Sequence, residues 1–117
     1  MNQNQLNKLC AKWQKRLRLQ DWNIEQLDFQ PFDNYDTYGC TKLSNNFHDA
    51  SIHINERWVN SPEQIEETLI HELLHLRFPH HMETFSKQHE EGSLMEQEME
   101  LGIEMTARAL FEAYKDE

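Results

Sequence analysis

The run Ser61-Pro62-Glu63-Gln64-Ile65-Glu66-Glu67-Thr68-Leu69-Ile70-His71-Glu72-Leu73-Leu74-His75-Leu76-Arg77-Phe78 constrains this chain more than any other. Ser61 is a natural N-cap, Pro62 suits the first helical position, and Gln64 completes a Ser-x-x-Gln capping box. Glu63, Glu66 and Glu67 fall in the first two turns, where the helix dipole favours negative charge. Pro79 then blocks continuation past Phe78. Together these signals predict a helix from Pro62 to Phe78. Ile65, Leu69, Leu73 and Leu76 form one apolar stripe, while Ile70, Leu74 and Phe78 add apolar groups on another side. A surface helix needs no such wrapping, so this one is expected to be central and largely buried.

Inside it stands His71-Glu72-Leu73-Leu74-His75, an H-E-x-x-H pattern. Helical residues four apart lie about 40° apart around the axis, so both imidazoles can reach one ion. Glu72 is then near enough to act on a water at that ion without filling a metal position. The bland alternative is a core helix that happens to carry two histidines. Buried polar groups need partners, which makes that coincidence costly and the metal site the better reading.

A catalytic zinc site usually takes three protein ligands and a water, so a third ligand is expected. Glu100 is one choice: on the last predicted helix, Glu96 and Glu100 fall within the apolar stripe, and a core-facing carboxylate wants a cation. Glu96 is a further choice on the same stripe. His81 is the other, giving H-E-x-x-H-x-x-x-x-x-H, a spacing that some zinc peptidases use with a glycine where Phe78 stands here. Pro79-His80 can supply the turn instead. The spacing leaves these alternatives open.

At 117 residues the chain is expected to be one domain, residues 1–117, with 38% apolar residues and three tryptophans to build a modest core. Residues 3–19 read as an amphipathic helix carrying Leu6, Leu9, Cys10, Trp13 and Leu17, its basic side simply solvated. Trp22 to Phe29 alternates and then drifts near Gln26-Leu27, a break that a bulge would explain. Tyr38–Leu43 and Asp49–Asn55 read as two more strands, the latter with Ile52 and Ile54 inward and Ser51, His53 and Asn55 outward. A last helix is expected from Leu94 to Tyr114, with Met99, Ile103, Thr106, Ala107, Leu110 and Tyr114 along one face. The fold class is therefore α+β, with about three strands.

A formal charge of −10 argues against nucleic-acid binding, which requires Lys and Arg to neutralise phosphates. The acid is uneven: Lys8, Lys12, Lys15, Arg16 and Arg18 occupy residues 1–20, and 83–104 is strongly acidic. Cys10 and Cys40 form no C-x-x-C and are expected to be free thiols. With no leader pattern and no long apolar run, the expectation is a soluble cytoplasmic protein without membrane contact.

Asp21-Trp22-Asn23-Ile24, Ala50-Ser51-Ile52-His53-Ile54, Glu67-Thr68-Leu69-Ile70-His71-Glu72-Leu73-Leu74-His75-Leu76 and Glu100-Leu101-Gly102-Ile103 follow one another in an order that resembles the small phage- or prophage-type zinc metallopeptidases of minimal-gluzincin type. The likeness spans most of the chain, and H-E-x-x-H is its one specific part. It implies a zincin-like fold, Zn²⁺ as cofactor, His71, His75 and Glu100 as ligands, and Glu72 as general base. A narrower likeness, His71-Glu72-Leu73-Leu74-His75-Leu76 with His81 and Phe85, is to the SprT- and WLM-related peptidases, and implies His81 as third ligand.

The function expected on these grounds is hydrolysis of a protein or peptide substrate by a metal-activated water. The strand around Ile52–Ile54, if it lies at the sheet edge, offers its backbone to that substrate. His53, Tyr35, Tyr38 and Arg57 are the candidates for a second oxyanion donor. Two rival readings are a zinc-stabilised binding protein and a metal hydrolase of another bond. Glu72 speaks against the latter, because a base at that position suits water attack on a carbonyl.

Overall fold

The computed structural model describes residues 1–33, 37–44, 48–77 and 94–115. In chain order it contains α1 (Gln3–Arg16), β1 (Asn23–Gln30), β2 (Gly39–Leu43), β3 (Asp49–Asn55), α2 (Pro62–Leu74) and α3 (Leu94–Tyr114), an α+β arrangement. The sheet is mixed, in the order β1-β3-β2, with β3 parallel to β1 and antiparallel to β2. The register shifts between Ile24 and Gln26, which leaves Glu25 as the extra residue of a bulge close to the predicted break.

The three helices share one side of the sheet. Leu6, Cys10 and Trp13 from α1, Ile52 and Ile54 from β3, Ile65, Leu69, Ile70 and Leu73 from α2, and Ile103 and Ala107 from α3 form one core. α2 is its centre. The Ser61–Gln64 capping box is made in both directions, and Ile65, Thr68, Leu69, Ile70, Glu72, Leu73 and Leu74 are all buried. The regular helix stops at Leu74, short of the predicted Phe78. His75, Leu76 and Arg77 instead donate to the carbonyls three residues back, tightening the last turn before Pro79 is reached. Phe78 and Pro79 lie outside the described residues.

α1 is tied to its neighbours by side chains. The Trp13 indole donates to Glu66 at 2.7 Å, Lys12 pairs with the same carboxylate at 3.5 Å, and Arg77 donates to the carbonyls of Leu17 and Arg18. Part of the basic side therefore faces acid on α2, and Arg16 lies over the rings of Trp13 and Tyr114. Along the rim of β1, Gln3 donates to the Leu27 carbonyl at 2.6 Å and Gln14 to that of Trp22 at 3.0 Å.

Two expectations on β3 need correction. It is the central strand, so its backbone is already paired on both sides and β2 is the edge nearest α2. His53 and Asn55 do occupy the face away from the helices, yet both are buried. The His53 ring bonds Asp28 at 2.6 Å, while Asn55 donates to Thr37 and accepts from the main chain of Phe32 and Arg57. Satisfied in this way, polar side chains can stay buried at little cost. On α3, Ile103 and Ala107 are buried as expected, whereas Thr106 is exposed and donates to the Gly102 carbonyl. Cys10 and Cys40 are free thiols, and no described helix is long and apolar enough to cross a membrane.

Candidate metal centre

The capped, buried α2 carries His71, Glu72 and His75 to the place where it faces α3 and β2. Each of the three offers one ligand atom, all within 4.8 Å of one another, and this group can hold a metal ion. The two imidazoles stand with ring centroids 5.1 Å apart on the same side of the helix. His75 is 9% exposed and Glu72 5%, with His71 partly exposed beside them.

α3 brings two carboxylates to this group. Glu100 Oε2 is 3.3 Å from His71 Nε2, and Glu100 Oε1 is 3.3 Å from His75 Nε2. One turn on, Glu104 Oε2 is 2.8 Å from His71 Nδ1. An ionised carboxylate only accepts, so Nδ1 carries the proton of this bond. Glu104 is held in turn by Arg108, whose Nε lies 2.9 Å from Glu104 Oε1 and 3.3 Å from Glu67 Oε1.

β2 supplies the third wall. The Thr41 hydroxyl lies 2.8 Å from Glu72 Oε1 and 3.1 Å from the Glu72 carbonyl oxygen. Gly39 makes this approach possible. A Cβ there would stand 2.9 Å from Glu72 Cγ and 3.0 Å from Thr68 Cγ2, closer than packed atoms tolerate.

The electrostatics follow from burial among acids. Burial alone would push the His71 imidazole down, but Glu100, Glu72 and Glu104 outweigh it and raise its pKa to about 9. Burial pushes the Glu72 carboxyl up to about 7, with Glu100 and Glu104 adding to the rise and His71 and Thr41 opposing it. A protonated His71 thus pairs with the carboxylates of Glu100 and Glu104 around it.

Of the residues expected here, His71, Glu72, His75 and Glu100 come together. Glu96 stands one turn before Glu100, half-buried on α3, and His81 lies outside the described residues. The oxyanion candidates fare less well. His53 is on the far face of the sheet, cross-strand from Asp28 and Cys40, whereas Gly39 and Thr41 meet Glu72 on the near face. Arg57 is engaged with Phe32 and Asp33. Tyr38 is largely exposed at the start of β2, and Tyr35 is outside the described residues.

Thr41, Gly39 and Glu104 were not singled out by the sequence. Glu104 had a signal, since Glu100 and Glu104 repeat on α3 the four-residue spacing of His71 and His75 on α2. Nothing local marks Thr41, whose role depends on a strand–helix contact distant in sequence. No family model, curated protein or solved structure matches the chain.

Proposed function

We propose that this chain is a zinc-dependent metallopeptidase on a zincin-like fold, with His71, His75 and Glu100 as metal ligands and Glu72 as general base. The observation that carries this reading is the pair of 3.3 Å separations between the Glu100 carboxylate and the Nε2 atoms of His71 and His75. Ligands held tetrahedrally at zinc distances of about 2.0–2.1 Å stand about 3.3 Å from one another, and each Nε2 has one Glu100 oxygen at that separation, Oε2 for His71 and Oε1 for His75. The imidazole and carboxylate donor set fits it as well.

Zinc bound there supplies a Lewis acid that makes water nucleophilic near neutral pH. Glu72 turns Oε2 toward the histidines, 4.0 Å from His71 Nε2, where it takes the proton from water as that water attacks a peptide carbonyl. Glu104, by accepting from Nδ1–H of His71, keeps the Nε2 lone pair directed inward. The outer side of β2, which pairs with no strand among the described residues, offers backbone groups to an extended substrate chain.

Glu72→Gln separates metal binding from chemistry. The variant is expected to hold zinc in the same stoichiometry as the wild type and to lose peptide hydrolysis; equal turnover in the two proteins rules the mechanism out. A second reading, a zinc-stabilised binding protein, is favoured by the exposed Leu94, Leu101 and Met105 on α3. Stoichiometric zinc with no cleavage across a broad proteomic digest supports that one instead.

A further inference from the structure

We infer that Thr41 is a positioning residue for Glu72: its hydroxyl ties down Oε1 and so assigns the proton-accepting role to Oε2. This inference rests on the peptidase reading for its catalytic half, while its structural half stands on the strand–helix contact alone.

Glutamate has three rotatable side-chain bonds, and a helical glutamate ordinarily extends toward water. Glu72 does neither freely, being buried against β2. Its two oxygens have different surroundings. Oε1 is 2.8 Å from the Thr41 hydroxyl, and Oε2 is the oxygen facing the histidines at 4.0 Å from His71 Nε2. Rotating the carboxylate by half a turn exchanges identical atoms, but a rotation near a quarter turn carries Oε1 away from the Thr41 hydroxyl and leaves a buried oxygen unsatisfied. The Glu72 carbonyl, 3.1 Å away, is a second acceptor for the same single proton, and Oε1 at 2.8 Å is the nearer of the two.

Gly39 and Thr41 act as a gap and a clamp on the same face of β2. The missing side chain at Gly39 lets the strand come within contact of Glu72 Cγ. Two residues on, the pleat returns to that face and presents the hydroxyl to the carboxylate. Glu72 is thereby oriented by a strand whose outer side pairs with no other among the described residues.

The experiment compares wild-type, Thr41→Val, Thr41→Ala and Thr41→Ser proteins, each loaded with zinc, on a library of internally quenched peptides. Thr41→Val keeps the shape and removes the hydroxyl; a reacting group misplaced by about 1 Å can lose about a hundredfold in rate. The expected result is a fall in kcat of about 10- to 100-fold with KM and zinc per chain unchanged, and recovery in Thr41→Ser. Thr41→Ala carries the same expectation should the valine variant fail to fold. Crystal structures give a readout independent of turnover: Oε1 should remain on the hydroxyl in wild type and Thr41→Ser, and the carboxylate should rotate in Thr41→Val or Thr41→Ala.

An unrotated carboxylate with wild-type kcat overturns the inference. Loss of zinc and activity together in the valine and alanine variants, without recovery in serine, also overturns it, because that pattern belongs to a merely structural threonine. A wild-type protein that binds zinc and cleaves no peptide overturns the peptidase reading and the catalytic half with it, and the crystal structures still decide whether Thr41 orients Glu72.

Discussion

His71 and Glu72 give the metal-free protein a definite pH signature. The His71 pKa is raised from 6.5 to about 9, so its stabilising contribution is complete below about pH 6.5 and is lost as pH rises through about 9. Glu72 is raised from 4.5 to about 7, so folding favours its protonated form, and that contribution is lost between about pH 4.5 and 7. Both act in the same direction. Urea midpoints of the metal-free protein are expected to fall from about pH 5 to about pH 9, and Glu72→Gln should flatten the lower half of that decline. Metal binding, which needs the deprotonated imidazole, should release a proton in the same range and be measurable by calorimetry in buffers of different ionisation enthalpy. Glu104→Gln leaves the three nearest donors in place but weakens the bond that orients His71, and should lower metal affinity about 10- to 100-fold in a competition titration. At this scale the sequence was most informative where chemistry and periodicity coincide. The pair His71 and His75 with Glu72 was legible because one helix holds all three, whereas Thr41 was not, since its partner is thirty-one positions away.

Elements were legible in kind and less so in extent. Ser61, Pro62 and Gln64 announce the start of α2 through a local hydrogen-bond pattern, and the structure makes that pattern in full. Its end depends on whether carbonyls near the terminus find partners three or four residues on, which sequence specifies poorly, and here the tighter choice prevails from His75. Strand order was harder still. β3 carries the most strongly apolar alternation and takes the centre, yet no local signal distinguishes a central from an edge position in so short a sheet. α3 buries only Ile103 and Ala107 fully along its 21 residues, with Leu110, Phe111 and Tyr114 partly buried against the core. Its N-terminal half is joined to α2 largely through Glu100, Glu104 and the histidines. Removing metal with a chelator should therefore accelerate amide hydrogen exchange between Leu94 and Glu104 while leaving β3 protected; equal protection with and without metal would show that packing alone holds α3.

For the molecule as a whole, one arrangement joins three separate parts of the chain at a single point: a buried helix bearing imidazoles, a second helix bearing acids, and a strand bearing a hydroxyl. Three of the chain's 21 acidic residues, Glu72, Glu100 and Glu104, meet at that point. The sheet has its own asymmetry. Gln3 of α1 occupies the Leu27 carbonyl of β1 and Gln14 that of Trp22 just before it, while no strand among the described residues pairs with the outer side of β2. If copies pair through β2 alone, self-association through the sheet stops at two, and sedimentation at rising concentration is expected to give monomers and pairs.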